Sequence, residues 1–408
     1  MTDAEFITRT YEFKLQTNKK FVAACLSVLD AARHVYNAAL EQRISLYQYA
    51  GRSIGYVEQS RQLTEARELP EVKACLRSIQ QDSLERLDLA FKAFFRRRKK
   101  GEMPGFPRFK AHFRYHTFSQ KIEKQRGCPL KGDKLTVPGV GTCRVRLSRE
   151  IEGTVKQLRI TRRADGWFVL LVCDLPKPEP LPATGDTVGI DVGLESFATL
   201  STGETIDNPR FLREGERSLK TAQRKVSRRK RGSQRRRQAV RLLRKQHLTV
   251  SRKRKNFHFE TAKPLVRDFD CIAVEDLKIR NMVRNPFLAK SISDAGWGQF
   301  LAILTFKAES AGREIEKVSP AFTSQDCSRC GERVRKSLAV REHCCLVCGL
   351  VLHRDHNAAL NLKSKAWVKP SGREKVVPAS PDEPRTDATE PVVRFFGRTR
   401  TFARSSRA

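Results

Sequence analysis

Five of the eleven cysteines in this 408-residue chain lie within 22 residues, and four of the five form two C-x₂-C pairs. Cys327 and Cys330 make the first pair, Cys345 and Cys348 make the second, and 14 residues separate the pairs. Each pair places two thiolates on one side of a tight turn, and the glycine that follows permits the turn's backbone conformation. Two such pairs complete a closed, tetrahedral Cys₄ zinc site. The pattern predicts one structural zinc ion in a zinc ribbon, with Cys344 as a less symmetric alternative to Cys345.

Three acidic residues lie at positions where a carboxylate needs either a stabilising partner or a function. Asp191 lies in the apolar strand pattern of 188–193, and Glu275 ends a second apolar run at 271–275. Asp355 opens a helical pattern, where an acidic residue is usually a cap or a partner of the helix dipole. A carboxylate inside an apolar strand is costly unless a cation, a hydrogen-bond network or a metal compensates it. Taken singly, each residue therefore has an ordinary structural explanation.

Taken together, the three acidic residues favour a two-metal phosphodiesterase. Such a site needs carboxylates that converge from different elements and hold two divalent cations about 4 Å apart. Mg²⁺ suits the site because it prefers oxygen ligands and keeps waters and phosphate oxygens in its shell. An Asp on a first strand, a Glu on a later strand and an Asp on a helix is the order found in RNase H-like nuclease cores. Asp191, Glu275 and Asp355 are therefore candidate ligands of two Mg²⁺ ions.

The charge of the chain indicates a polyanionic partner. Its 80 Lys and Arg exceed its 45 Asp and Glu by 35, and its isoelectric point is about 10.2. Between Arg213 and Lys255 there are 19 Lys and Arg but only two Glu, a net charge of +17. Such a run can be a solvated face, but like charges at this density repel unless a polyanion neutralises them. We expect nucleic acid to contact Arg224, Lys225, Arg228, Arg229, Lys230, Arg231, Arg235, Arg236 and Arg237.

Composition excludes several other classes of protein. Hydrophobic residues make up 39% of the chain, enough for ordinary cores. No apolar run approaches the roughly 20 residues that cross a bilayer, and the acidic N-terminus lacks the apolar region of a secretion signal. The odd cysteine count does not suggest disulfides, so we predict a soluble protein of a reducing compartment such as the cytoplasm, without membrane contact. The scattered cysteines expected to be buried are Cys25, Cys75, Cys128, Cys143, Cys173 and Cys271.

Residue patterns along the chain predict the elements that must position these side chains. In the N-terminal part, they predict a strand at 6–15, helices over 18–100 and a barrel-like group of short strands over 109–175. A proline-rich linker at 176–182 follows. The second part is predicted to contain strands at 187–200, 269–274 and 314–318, basic helices over 211–255, a helix at 297–311 and a disordered tail after about 367.

Several motifs resemble those of the TnpB family, insertion-sequence proteins labelled transposases and related to type V CRISPR effectors. The C-terminal motifs are GIDVG at 189–193, VEDL at 274–277, SISDAGW at 291–297, KVSP at 317–320, TSQDCSRCG at 323–331 and RDHNAA at 354–359. Upstream, VYN at 35–37 and GFPRFK at 105–110 look like the family's N-terminal signatures. His343 and Cys344 stand where the family usually has an aromatic and a variable residue.

The resemblance implies a multidomain α+β protein that cuts DNA under RNA guidance, at a RuvC-type site interrupted by a zinc ribbon. Asp191, Glu275 and Asp355 would be the metal-binding catalytic residues, and the four paired cysteines would be the zinc ligands. The implied segments are a wedge β-barrel (1–17 and 105–182), a helical recognition insert (18–104), an RNase H-like (RuvC) α/β core (183–322) with a basic helical part (211–260), a zinc ribbon (323–352), a last core helix (353–366) and a disordered tail (367–408).

Three functions remain open from the sequence. The first is a Mg²⁺-dependent DNA endonuclease, most simply a monomer, with a guide RNA in a basic channel and double-stranded DNA as target. The second is a guided DNA binder without nuclease activity, but such a protein would lose a carboxylate and this chain retains all three. The third is a transposase that joins DNA ends, a reaction that RNase H-like cores also serve. The chain lacks the paired His-x-His expected beside a tyrosine nucleophile in the family's single-strand transposase partner.

Overall fold

The computed structural model describes residues 6–66, 75–122, 128–337 and 340–367. The predicted disordered tail lies outside these residues from position 368 onward. None of the helices in the described ranges is both long and apolar enough to cross a lipid bilayer.

A seven-stranded antiparallel sheet dominates the N-terminal part. Its strands are β1 (Phe6–Gln16), β2 (Thr117–Lys121), β3 (Leu130–Lys131), β4 (Lys134–Val137), β5 (Gly141–Arg146), β6 (Thr154–Arg163) and β7 (Gly166–Pro176). They are ordered β2-β6-β7-β1-β5-β4-β3. Strand β1 pairs with β7 from Phe6 to Lys14 but with β5 only from Lys14 to Gln16. This stagger is typical of a sheet that curls towards a barrel.

Among the described residues between β1 and β2 there are three α-helices: α1 (Lys19–Ala50), α2 (Tyr56–Glu65) and α3 (Arg77–Lys99). The side chain of Asn18 caps α1 by accepting a hydrogen bond of 2.8 Å from the backbone N–H of Phe21. Buried residues of α1 and α3, such as Leu40 and Leu87, belong to the same hydrophobic cluster as Phe13 of β1. The helical segment therefore shares one core with the curled sheet.

A five-stranded sheet forms the centre of the second part. Its strands are β8 (Thr187–Val192), β9 (Ser196–Leu200), β10 (Thr205–Asp207), β11 (Cys271–Glu275) and β12 (Glu314–Val318). They are ordered β10-β9-β8-β11-β12, with the first three antiparallel and β11 parallel to both of its neighbours. Three antiparallel strands followed by two parallel ones is the strand order of an RNase H-like core, so the predicted mixed fold is confirmed.

Helices cover both faces of this sheet. They are α4 (Phe211–Ser227), α5 (Gln234–Asp268), α6 (Ile279–Met282), α7 (Ala289–Ala295), α8 (Trp297–Ser310) and α9 (Arg354–Trp367). A hairpin of β13 (Glu342–Cys344) and β14 (Val351–His353) precedes α9. Helix α9 crosses β8 so closely that a Cβ on Gly189 would lie 2.0 Å from the carbonyl oxygen of Ala359. Only glycine is compatible with this crossing.

The prediction that six scattered cysteines are buried is partly wrong. Cys25, Cys75, Cys143 and Cys173 are buried. Cys128 is exposed; it lies two residues before β3, an edge strand of the curled sheet that has a neighbouring strand on one side only. Cys271 is only half-buried at the start of β11.

Candidate functional site

Strand alternation places two of the predicted carboxylates on one face of the central sheet. Val188 and Ile190 of β8 belong to the cluster that includes α5 and α8, so Gly189 and Asp191 face the opposite side, where α9 lies. In β11, Ala273 packs with Leu362 of α9 in the same way, and Glu275 follows it by two residues. Ile190 pairs with Val274, so Asp191 and Glu275 are neighbours across the two strands.

Helix α9 supplies the third carboxylate. Asp355 lies in its first turn and is only 7% exposed. Its Oδ2 lies 3.8 Å from the position that a Cβ on Gly193, just after β8, would occupy. Its Oδ1 accepts a hydrogen bond of 3.1 Å from Nε of Arg354. The structure therefore brings Asp191, Glu275 and Asp355 to the same end of the central strands.

The three carboxylates interact electrostatically. Burial raises the pKa of Asp191 well above its ordinary value, and the charges of Glu275 and Asp355 raise this pKa further. Burial also raises the pKa of Glu275, and the hydrogen bond from Thr323 opposes that shift. Repulsion among buried carboxylates is relieved by cations, and these oxygen donors fit Mg²⁺.

The carboxylates are spaced more widely than the zinc-type cluster of cysteines. Among the residues with described positions, Cys327, Cys330, Cys345 and Cys348 are the only group of three or more possible ligands whose ligand atoms all lie within 4.8 Å of one another. The carboxylates do not meet around one point at that distance.

Without added Mg²⁺, we expect the Asp191→Asn variant to be more stable than the wild type. Each kcal/mol of carboxylate repulsion that the substitution removes should raise the melting temperature by about 2–4 °C. The folded-state pKa of Asp191 is raised, so the folded protein binds more protons than the unfolded chain above the ordinary pKa of an Asp. The wild type should therefore lose stability as pH rises from about 4 towards the raised pKa, and the variant should lose less. Thermal melting from pH 5 to 8 measures this difference. Asp207→Asn, at an exposed position of β10, is the control, and a lower melting temperature for Asp191→Asn would contradict the repulsion.

The four paired cysteines fit a zinc ion. The Sγ atoms of Cys327 and Cys348 lie 3.6 Å apart, and so do those of Cys330 and Cys345. Desolvation opposes ionisation of Cys327, but hydrogen bonds from backbone N–H groups of the turn lower its pKa to about 6. At Cys330 a backbone hydrogen bond acts in the same direction, but desolvation and hydrogen bonds with the neighbouring thiols raise the pKa to about 12. Cys344 is exposed on β13 and lies outside the cluster.

His343, where the family usually has an aromatic residue, is fully buried in the ribbon. Its ring Nδ1 contacts Nζ of Lys336, and its side chain also makes a hydrogen bond with Cys327. The imidazole is therefore packed inside the ribbon, in contact with Cys327.

A buried hydrogen-bond network joins the zinc-type cluster to the carboxylates, and sequence patterns did not predict it. Oγ1 of Thr323 donates a 2.8 Å hydrogen bond to Oε1 of Glu275. From α9, Asn361 donates to the carbonyl oxygens of Thr323 and Asp326 at 2.8 and 2.7 Å. Asn357 donates to the Asp326 carbonyl oxygen at 2.8 Å and accepts from the backbone N–H of Ser328 at 3.0 Å. Asn357 and Asn361 are four residues apart, so they lie on the same helix face, whose other residues are small and apolar. Two polar amides on such a face are the sequence feature that could have indicated this network.

Arg341 is a further residue near the carboxylates that no sequence pattern indicated. Its Nε lies 3.1 Å from Oε2 of Glu195, and its Nη1 lies 4.0 Å from Oδ2 of Asp355. It comes from the ribbon segment between the two cysteine pairs. No spacing rule indicated it, because its approach to Asp355 depends on how the ribbon folds onto the core.

The basic segment forms a pair of helices with exposed cations. The nine predicted contact residues lie at the end of α4, in the turn at 228–233 and at the start of α5. All are exposed except Arg236, which is half-buried, and none has an ion-pair partner among the described residues. A groove of about 940 Å³ between the two helices is lined by Lys225, Arg229 and Arg235.

Asp294 anchors the base of these helices. Its carboxylate accepts hydrogen bonds of 2.9 and 3.0 Å from the backbone N–H of Leu212 and lies 3.1 Å from Nη2 of Arg254. It therefore caps α4 and ties it to α5. The motif at 291–297 thus has a structural role in this protein.

An RNase H-like sheet with carboxylates on β8, β11 and the last helix, together with a four-cysteine ribbon before that helix, defines the class of RuvC-like nuclease folds with an inserted zinc ribbon. Family models match the same segments. A model described as a probable transposase, OrfB of IS605, matches residues 170–286, and a Cas12f1-like TNB domain matches 297–362. A helix-turn-helix model matches 1–52, although residues 6–52 here contain a strand and one long helix.

Whole-length relatives identify the family. A protein of Streptomyces pristinaespiralis named "Putative RNA-guided DNA endonuclease" is 33% identical over 365 residues, covering 87% of this chain and 89% of that protein. The similarly named InsQ of Escherichia coli K12 is 26% identical over 378 residues, covering 87% of this chain and 91% of InsQ. The chain belongs to the TnpB family of these proteins.

A solved structure supports the fold. A Cas12f1 chain, determined by cryo-electron microscopy with guide RNA and target DNA, superposes with a TM-score of 0.57 at 14% identity. The match covers 88% of this chain and 99% of the Cas12f1 chain. At this identity, the likeness concerns the fold alone.

Proposed function

We propose that this protein is an RNA-guided DNA endonuclease encoded by an insertion sequence, and that Asp191, Glu275 and Asp355 are its catalytic residues. The observation that carries the proposal is the convergence of three carboxylates from β8, β11 and α9 on one face of the sheet, with Asp355 buried and Asp191 and Glu275 half-buried. The name of the 33%-identical relative supports the reaction class.

In the proposed mechanism, Asp191, Glu275 and Asp355 would hold two Mg²⁺ ions. When bound, these ions would supply activation of the attacking water and stabilisation of the leaving oxygen. Thr323 orients the carboxylate of Glu275 through its 2.8 Å hydrogen bond. Arg341, 4.0 Å from Asp355, is placed to donate to a phosphate oxygen of the bound DNA strand. Cys327, Cys330, Cys345 and Cys348 would hold one structural zinc ion.

The partners proposed are a guide RNA and a target DNA duplex, bound by a monomer in the cytoplasm. The nine cations between Arg224 and Arg237 have no acidic partner within the described ranges, which supports binding of a polyanion. Solved Cas12f1 carries guide RNA and target DNA in its complex. Residues 183–322 and 353–366 are assigned to the nuclease core and 323–352 to the ribbon, and the N-terminal unit is assigned to reading the motif beside the target.

A ribonucleoprotein assay tests the function. RNA that copurifies with the protein is sequenced to identify the guide, and the complex is then offered a plasmid with a matching target and Mg²⁺. Cleavage of the matched plasmid only is the expected result. Binding without cleavage would indicate a guided binder, and covalent strand joining would indicate the transposase reaction suggested by the description of the matching family model.

Neutralising the basic segment should weaken nucleic-acid binding and reduce its salt dependence. We expect combined Gln substitution of Arg228, Arg229, Arg231 and Arg235 to reduce the slope of log K against log[salt] by about 0.7–0.9 for each phosphate that is no longer neutralised. Fluorescence anisotropy with RNA and DNA at several salt concentrations measures the slope. The matched control replaces the same four residues with Lys, which keeps the charge. An unchanged slope in the Gln variant would mean that this segment is only a solvated face.

A further inference from the structure

Four exposed phenylalanine rings lie within one 19-residue stretch, at the end of α3 and in the segment that follows it. Phe95 is 55% exposed, Phe106 44%, Phe109 51% and Phe113 57%. Large apolar side chains grouped on a surface usually mark a binding site. Neither the carboxylate site nor the basic helices α4 and α5 include these rings.

The structure holds part of this cluster in a defined arrangement. Phe106 packs edge-on against Phe91 and Phe94, with ring centroids 5.5 Å apart in both pairs. The side chain of Asn37 in α1 donates to the carbonyl oxygen of Lys110 at 3.0 Å and accepts from its backbone N–H at 2.8 Å. The loop is therefore anchored at Phe106 and at Lys110. Because the free protein already holds the loop in place, binding of a ligand would cost less conformational entropy than ordering a mobile loop.

Cations alternate with these rings. From position 96 to 114 there are eight Lys and Arg and a single acidic residue, Glu102. Glu102 lies 3.8 Å from Arg280, and none of the eight cations has an ion-pair partner among the described residues. The cations are Arg96, Arg97, Arg98, Lys99, Lys100, Arg108, Lys110 and Arg114.

We propose that residues 95–114, named here the aromatic-basic surface, bind an unpaired segment of nucleic acid. Bases would stack on Phe95, Phe109 and Phe113, and the intervening cations would contact phosphates, as on other single-strand binding surfaces. A second copy of the chain is a poor occupant, because two surfaces of this charge repel. The proposal deepens the proposed function by assigning single-stranded segments of the bound RNA or DNA to a surface separate from α4 and α5.

Stacking and charge predict different salt behaviour, which makes the proposal testable on the full chain. We expect the triple variant Phe95→Leu, Phe109→Leu, Phe113→Leu to bind single strands at least about fivefold more weakly for each base that can no longer stack. The salt slope should stay unchanged, because stacking releases no counterions. Anisotropy with oligo(U), oligo(dT) and a blunt DNA duplex is the measurement, and the two single strands show whether RNA or DNA is preferred. Duplex binding should be unaffected.

Two controls separate this effect from general damage. Phe6→Leu replaces a 67% exposed ring on β1, outside the surface, and should leave all affinities unchanged. Arg96→Gln with Arg98→Gln should reduce the salt slope while the rings remain. Unchanged single-strand affinity in the triple variant, or an equal loss with the duplex, would overturn the proposal.

A wild-type measurement covers the case in which the triple variant does not fold. Oligo(U) carrying 5-iodouracil should cross-link on irradiation to peptides within 95–114. Cross-links only to other segments would overturn the proposal, whereas guided plasmid cleavage by the same preparation would still support the endonuclease function. The two failures are therefore distinguishable.

Discussion

The Glu275→Gln variant should lose DNA cleavage by about a thousandfold or more, since metal-ion catalysis supplies several kcal/mol of transition-state stabilisation. The amide has the size of the carboxylate and can still accept the hydrogen bond from Thr323, so the local packing should survive. It lacks the negative charge that two divalent cations require. Glu275 contacts no phosphate in the proposed mechanism, so guided DNA binding should stay within severalfold of the wild type.

Cleavage of a matched plasmid and electrophoretic mobility shift of the same target measure the two effects side by side. Glu314→Gln is the matched control, because Glu314 is an exposed carboxylate on β12 of the same sheet. It should leave both cleavage and binding unchanged. Full cleavage by Glu275→Gln would remove this residue from the catalytic site, and an equal loss of binding would assign it a structural role.

The Cys348→Ser variant is expected to lose zinc and with it most of the nuclease activity. Structural zinc sites contribute apparent free energies of about 10–16 kcal/mol to the folding of small metal-dependent modules. The first cysteine pair belongs to the segment that Asn357 and Asn361 bind, and Thr323 of that segment orients Glu275. Disorder in the ribbon should therefore also disturb the positions of the carboxylates. Binding of RNA at α4 and α5 should persist.

Metal content by mass spectrometry, thermal melting and plasmid cleavage check this expectation. Cys344→Ser is the control one residue away from the second pair, and it should keep zinc, stability and activity because Cys344 lies outside the cluster. If Cys344→Ser lost zinc and Cys348→Ser kept it, Cys344 rather than Cys348 would be a zinc ligand. Zinc loss in Cys348→Ser with full cleavage would show that the ribbon does not position the carboxylates.

Local features of the fold could be predicted because they are encoded in short windows of residues. The residue pattern of 314–318 predicts a strand that the structure places at Glu314–Val318, and the pattern of 297–311 predicts the helix Trp297–Ser310. The C-x₂-C spacing likewise depends only on neighbouring residues in a tight turn. Motif resemblance added the TnpB family, to which the 33%-identical relative assigns the chain.

Only the tertiary structure shows which residues contact each other when they are far apart in the sequence. No window of sequence shows that Thr323 bonds Glu275, that Arg341 approaches Asp355, or that the helices after β1 share a core with the curled sheet. Nor does one show that Cys128 lies exposed beside a sheet edge.

The physical reason is that strand alternation and spacing are properties of the local backbone, whereas convergence depends on register and on how closely elements cross. The pairing of Ile190 with Val274 aligns two carboxylates, and the bare Cα of Gly189 lets α9 approach and bring the third. Residue types along the chain were sufficient to nominate Asp191, Glu275 and Asp355. Only the packing of α9 and the ribbon on the sheet established which side chains surround them.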